Sequence, residues 1–261
     1  MADIRLLSTA CYRRLMADDV LAKSFLEAGE DYDRFRPGFP DAAADAIIDA
    51  PVRVVLDLGA GTGKFTERLI DRASQVIAVE PSERMLAVLR AKLPGVEALT
   101  GTAEVLPVPD AGVDVVTVAQ AFHWFDREPA CAEIRRVLVP GGVLGLLWNH
   151  SDASCAWDRA CARVAHPGLS EGLTASPDAV ELLPGFDAPR FVQIPWRERL
   201  TRADYIARWL TVSSFLAASE AERARMVAEV EHILDTDPET AGHDEFELPQ
   251  LTDVYVYRAS A

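Results

Sequence analysis

The run VVLDLGAGTGKFT, Val54 to Thr66, places Asp57 just ahead of Gly59, Gly61 and Gly63, and is where this chain can meet a ligand with its backbone. Glycines at alternate positions let the chain turn sharply and let a ligand approach main-chain N–H groups with no Cβ in the way. A phosphate-binding loop needs four residues between its first glycine and a Gly-Lys pair followed by Ser or Thr. Here Gly59 and Gly63 enclose three, and Phe65 follows Lys64, so that chemistry fails. A dinucleotide loop reads GxGxxG; the third glycine comes one residue early and Asp57 stands where such loops are commonly apolar, which weakens that reading. Glu80 closes the next apolar run, QVIAVE, seventeen residues beyond Gly63. Its carboxylate would reach the tip of the adjacent strand beside the loop, where it can grip a ribose diol.

His123 follows the apolar run VVTVAQ, and its ordinary pKa suits proton removal from a hydroxyl or amine near neutrality; the alternative is packing beside Trp124 or ordering its loop. Gln120 closes the same run and could bound a ligand pocket, and Trp148, Asn149 and His150 end the next apolar run as candidate substrate walls.

Elements that alternate in type must position these residues. Short β-branched runs near Val52 to Leu58, Gln75 to Glu80, Val96 to Thr100, Val113 to Gln120 and Val143 to Asn149 read as strands covered on both faces. Helices are predicted near Lys64 to Arg72, Ser82 to Lys92 and Glu128 to Val137, with Ser82 as an N-cap and Pro140-Gly141-Gly142 as a stop. The alternation predicts a doubly wound α/β sheet, mostly parallel. Beyond Asn149 the rhythm changes to a helix near Ala156 to Val164, a strand near Phe191 to Leu200, two amphipathic helices and a last strand near Leu251 to Arg258. Tyr205, Ile206, Trp209 and Leu210 share a face of the first late helix, and Met226, Val227, Val230, Ile233 and Leu234 one of the second, suiting core packing or, as a unit, a lid.

The composition, 49% hydrophobic and 26% charged, supports one large core with decorations over 1–261. The divisions read as an N-terminal helical cap over 1–40, a ligand-binding core over 41–150 and a helical insertion over 201–240 that forms part of a substrate lid. A net charge of -15 opposes nucleic acid, which needs Lys and Arg to displace counterions. Cys11, Cys131, Cys155 and Cys161 form no CxxC pair and have no companion His at zinc spacing, so no metal is expected. Charges throughout the first twenty residues leave no apolar run for a signal peptide or a membrane span, which points to the cytoplasm. A second Met-Ala-Asp triplet at Met16 repeats that at Met1 and leaves a later start open.

The strand-DLGAGTG-helix run coupled to Glu80, followed by GTAEVLPVPDAGVDVVTVAQAFHWFD and the PGG turn, resembles class I S-adenosylmethionine-dependent methyltransferases over roughly residues 30 to 150, in the family's motif order. The resemblance implies a Rossmann-like seven-stranded sheet with helices on both faces and an antiparallel last strand. It implies S-adenosyl-L-methionine as cofactor, S-adenosyl-L-homocysteine as product and a small-molecule acceptor, methylated by a monomer or homodimer. Asp57, Gly59, Ala60, Gly61 and Gly63 would lie at the methionine end, Asp57 ordering the loop. Glu80 and Pro81 would meet the ribose; Met85, Thr102, Ala103 and Glu104 would face adenine; Gln120 would bound the methyl-donor pocket. Many relatives carry Asp where Thr102 stands, so either Thr102 or Glu104 would take the adenine amino group. The segment YDRFRPGFP, with AQAFHWFD, looks like a branch that includes trans-aconitate methyltransferase-like proteins; there Tyr32 and Arg36 would close over the methionine carboxylate, or else act as a connector. That branch would need basic partners for three carboxylates, with Arg36, Arg197, Arg199 and Arg208 as suppliers. The rival readings are an NAD-dependent oxidoreductase, which lacks a Tyr-x-x-x-Lys relay here, and a non-catalytic S-adenosylmethionine-binding protein.

Overall fold

The computed structural model describes residues 35–166 and 182–260. Tyr32, Met16 and most of the predicted N-terminal cap lie outside them.

The apolar runs become strands β1 (Val52–Leu58), β2 (Ala73–Glu80), β3 (Glu97–Thr100), β4 (Val113–Ala119), β5 (Leu138–Ser151), β6 (Arg190–Thr201) and β7 (Glu245–Arg258) of one seven-stranded sheet in the order β3-β2-β1-β4-β5-β7-β6. The pairs from β3 through β5 are parallel, and β7 runs antiparallel to both β5 and β6. The strand order reverses between β1 and β4, the crevice where doubly wound sheets bind ligands at their carboxyl edge.

Both faces are covered, so the strands read as continuous apolar runs, yet their side chains still alternate. Val54, Leu56 and Leu58 enter one cluster with Ile134 and Leu146. Val55 enters the other with Phe39, Ile47, Phe65 and Leu147. Val113 and Val116 share a face three residues apart because the β4–β5 register shifts between Val113 and Val115.

Among the described residues the helices before the fifth strand are α1 (Asp41–Asp45), α2 (Glu83–Lys92) and α3 (Arg127–Val137). Ser82 caps α2 by accepting from the Met85 N–H at 3.4 Å, as its type predicts. The helix predicted over 64–72 is not α-helical. It forms two three-residue 3₁₀ turns, Thr66–Arg68 and Ile70–Arg72. Arg68, Leu69 and Arg72 donate to the carbonyls three residues back, while the Thr66 hydroxyl is drawn into the core. The longer 3₁₀ rise, about 2.0 Å per residue, lets this short crossover reach β2. The turn at Pro140 also differs: Gly141 and Gly142 fall inside β5, which starts directly after α3.

The C-terminal third carries α4 (Ala156–Ala165), α5 (Arg202–Leu210), α6 (Ser213–Ala217) and α7 (Glu220–Thr236), three helices between β6 and β7 where two were predicted. The last β5–β7 pair is Ser151 with Gln250, but β6 and β7 continue from Arg197 with Pro249 to Thr201 with Glu245. This two-stranded ribbon therefore projects about 17 Å past the carboxyl edge, at about 3.3 Å per residue. Leu200, Phe246 and Leu248 at its tip pack with Trp157, Tyr205, Phe215, Val230 and Leu234 in a separate small core. The 201–240 segment is thus held beyond the same edge as the glycine loop. No helix of the described residues is long and apolar enough to cross a membrane.

Candidate active site

The glycine loop leaves β1 with Gly59, Gly61 and Gly63 all at positive φ, 69°, 55° and 85°. What a Cβ would meet sorts them by task. At Gly59 it would lie 2.6 Å from Ala121 Cβ, and at Gly63 3.0 Å from Leu93 and 3.1 Å from Leu89, so these two permit packing. At Gly61 the nearest atom would be the Met85 sulfur at 3.8 Å. The space over Gly61 is thus open, with Met85 as its nearest wall.

Glu80, buried at the end of β2, faces this loop. Its Oε2 accepts from the Gly61 N–H and its Oε1 from the Ser82 N–H, each at 3.0 Å. Desolvation raises its pKa against those two hydrogen bonds, so the charged form depends on the donors around it. Gly59 and Ala60 both donate to the Val79 carbonyl, fixing the loop to β2.

Asp57 is 1% exposed and holds the loop from behind. Thr66 Oγ1 donates to one of its oxygens at 2.6 Å and Thr117 Oγ1 to the other at 2.9 Å. These two threonines are the site residues that sequence reasoning missed. The available signal was a lone hydroxyl in the apolar run of β4. Burial pushes the Asp57 carboxyl up to about 6, outweighing both hydroxyls, and the Glu80 charge adds to the rise. The ordinary value is 3.8, so the folded state binds more protons than the unfolded chain between roughly pH 4 and 6. Stability then falls as pH rises through that window, by up to about 3 kcal/mol, and the cost persists above it. Asp57→Asn is therefore expected to stabilise the protein in urea unfolding, more at pH 8 than at pH 5, while loosening the loop; an equal gain at both pH values would refute the assignment.

The other predicted residues take distinct places. Met85 is buried, with its sulfur toward Gly61. Ala103 is buried, Thr102 is exposed and makes an isolated bridge to Val105, and Glu104 accepts from the Asp126 N–H at 3.0 Å. Gln120 adopts φ 57°, a conformation that non-glycine residues rarely hold outside functional or strained sites. Its amide turns away to donate to the Asn149 carbonyl at 3.0 Å. Asn149 Nδ2 in turn donates to the Gly38 carbonyl at 2.8 Å, tying the irregular segment after Arg36 to the end of β5. His123 lies exposed in a 3₁₀ turn, 5.1 Å from the Trp124 ring. Enough protein surrounds its ring that desolvation pushes the imidazole down to about 4. His150 instead sits 3.1 Å from the buried Asp253 carboxylate, which holds its pKa above the ordinary value.

Arg197, Arg199 and Arg208, which a polycarboxylate acceptor would call on, are already paired. Arg208 makes a two-pronged bond with Glu198 at 2.7 and 2.8 Å, Arg199 meets Glu245 at 2.7 Å, and Arg197 lies 3.8 Å from Glu247.

The strand order, the antiparallel β7 and an acid at the end of β2 bonded to a left-handed glycine loop define a class I, Rossmann-like methyltransferase. Comparison with known proteins agrees. The methyltransferase domain family model matches residues 56–146. An uncharacterized methyltransferase of Mycobacterium tuberculosis is 40% identical over 244 residues, covering 93% of this chain and 96% of the relative. A methyltransferase-like protein of Schizosaccharomyces pombe is 35% identical over 245 residues, covering 89% and 94%. A solved structure described as a candidate type II methyltransferase of Anaeromyxobacter dehalogenans superposes with a TM-score of 0.63 at 26% identity, covering 87% of this chain and 98% of that one. The chain belongs to the class I S-adenosylmethionine-dependent methyltransferase family.

Proposed function

We propose that the protein transfers the methyl group of S-adenosylmethionine to an O, N or C atom of a small-molecule acceptor in the cytoplasm. The observation that carries this is the Glu80 carboxylate bound to the Gly61 N–H beneath an open space that a Cβ would fill. When bound, S-adenosylmethionine would supply a sulfonium methyl that an acceptor electron pair attacks in line, forming the acceptor–methyl bond as the S–methyl bond breaks with its electron pair staying on the departing thioether sulfur. Gly61 and the loop backbone hold the methionine end, Glu80 the ribose hydroxyls, and Met85 with Ala103 the adenine. Asp57, through Thr66 and Thr117, keeps the loop in shape and does not itself touch the ligand.

The remaining task is alignment in a dry site, which in well-oriented reactions is worth about 7 to 11 kcal/mol, so no resident base is obligatory. His123 is neutral at pH 7 and can accept a hydrogen bond from an acceptor hydroxyl, but at about 4 it is a weak base. The helices on the β6–β7 ribbon cover the acceptor and exclude water. The arginine pairing and the net charge of -15 favour an uncharged or weakly charged acceptor over a polyacid such as an aconitate.

Calorimetric titration with S-adenosylmethionine, S-adenosylhomocysteine and NAD tests the reading. The first two are expected to bind and NAD not to. Binding of NAD alone, or of nothing to folded protein, would overturn it. Release of S-adenosylhomocysteine on adding an extract of small molecules separates the enzyme from a binder that does not turn over.

A further inference from the structure

The helices on the ribbon have a core of their own, with Trp157, Tyr205, Phe215, Val230 and Leu234 packed apart from both faces of the sheet. They stand on two strands that run on past the Ser151–Gln250 pair, and a body on so narrow a stem can swing as a unit unless side chains fasten it. Arg208, on α5, fastens it with all three guanidinium nitrogens. Nη1 and Nη2 donate to the two oxygens of Glu198 on β6 at 2.8 and 2.7 Å, and Nε donates to the Phe35 carbonyl at 2.8 Å. The two side chains are 15% and 16% exposed, so the pair is sheltered from the solvent that weakens surface ion pairs. Gln250, in the last β5–β7 pair, donates to Glu198 at 3.4 Å and helps to aim it.

The segment that Arg208 grips, Phe35 to Phe39, is fixed separately at its far end. The Gly38 carbonyl accepts from Asn149 Nδ2 at 2.8 Å, and the Phe39 ring stands edge-on to Phe65 at 5.1 Å, two residues beyond Gly63. Asn149 is itself held firmly. Its side-chain oxygen accepts from Thr252 Oγ1 at 2.6 Å, which accepts from Trp196 Nε1 at 2.9 Å, and its main-chain carbonyl accepts from Gln120 Nε2 at 3.0 Å. Gln120 precedes Ala121, the residue against which Gly59 packs. One end of a short strap therefore rests on the lid, and the other on the carboxyl edge beside the glycine loop.

We propose that Arg208 is a positioning residue: by latching the strap at Phe35 to the lid, it keeps the lid closed beside the glycine loop and sets how long the methyl donor stays bound. A guanidinium suits the task, because its planar fork gives two N–H bonds to a carboxylate and leaves the third nitrogen for a carbonyl. The Phe35 group it holds is main chain, so the contact depends on where the strap lies and not on which side chain stands there. Arg208 acts through the strap and touches neither donor nor acceptor. This inference rests on the methyltransferase reading above and assigns the control of donor release at that site.

The test compares the full chain with two variants. Arg208→Met keeps the apolar stem and removes the donors; the double variant Glu198→Gln/Arg208→Met also removes the carboxylate that would otherwise be left half-buried without its cation. Arg199→Met is the control, since it breaks an ion pair on the same ribbon, with Glu245 at 2.7 Å, that does not reach the strap. Surface plasmon resonance with S-adenosylhomocysteine separates association from release. Release is expected to quicken at least fivefold in both variants, with association unchanged or faster, and to stay at the wild-type rate in the control. A merely damaged fold would instead slow association. Chymotryptic cleavage of the Phe35–Arg36 bond, followed without ligand, is expected to quicken at least fivefold in the same two proteins. Unchanged release or unchanged cleavage in the double variant, slower association, or equal effects in Arg199→Met would each overturn the proposal. Failure of S-adenosylhomocysteine to bind the wild type, with cleavage still faster in the variants, would overturn the methyl-donor reading and leave the latch between lid and strap standing.

Discussion

Glu80→Ala is expected to lower the affinity for S-adenosylmethionine about a hundredfold, roughly 2.7 kcal/mol, with little change in melting temperature. The carboxylate has two tasks in one place. It is poised for the ribose hydroxyls, and it accepts from the Gly61 and Ser82 N–H groups, so its removal also frees the loop. Hydrogen bonds to a charged acceptor are the strong kind, and losing ligand and loop contacts together exceeds the tenfold that a single contact would give. Stability changes little because deleting the side chain also removes a desolvated carboxylate whose raised pKa reports its cost. Glu80→Gln has one acceptor oxygen where two are needed, and turns an NH₂ group toward one of the donors; about a tenfold loss is expected. Calorimetry on the three proteins decides the matter, and an alanine variant within threefold of the wild type would remove Glu80 from the site.

Gly59→Ala is expected to destabilise the fold by about 3 kcal/mol. A non-glycine residue at φ 69° costs about 1 to 2 kcal/mol. The new Cβ, 2.6 Å from Ala121 Cβ, meets an atom with no flexible arm to swing aside, and overpacking of that kind adds about 1 to 3 kcal/mol. For a protein of this size the melting temperature should drop by roughly 10 °C. Gly61→Ala is the control, since its Cβ meets only the Met85 sulfur at 3.8 Å. At φ 55° it carries the same left-handed strain, about 1 to 2 kcal/mol, but no overpacking, so it should melt clearly above Gly59→Ala and yet lose S-adenosylmethionine binding, because the added methyl fills the ligand's space. Thermal unfolding and calorimetry of the pair separate a glycine kept for packing from one kept for the ligand; a Gly59→Ala protein as stable as the wild type would contradict that division.

Much of this was legible from residue order. The glycine spacing, Glu80 at the end of an apolar run and Ser82 as a cap all depend on neighbours within a few residues, and local chemistry suffices to read them. The alternation of strands and helices likewise announced a doubly wound sheet. The 3₁₀ turns after the loop were not legible, because Thr66 abandons helical geometry for a carboxylate on β1, nine residues back in sequence. Thr117, whose partner Asp57 is sixty residues away, carried only the faint mark of a hydroxyl in an apolar strand. The ribbon that lifts α5 to α7 past the carboxyl edge depends on β6 and β7 pairing beyond the end of β5, a register that no single segment encodes. Sequence by itself determined which groups are available for chemistry, since glycine conformation, charge and periodicity are properties of short segments. Tertiary structure alone decided which of them meet and which the burial shifts, because contact and desolvation arise only when distant segments exclude water from one another.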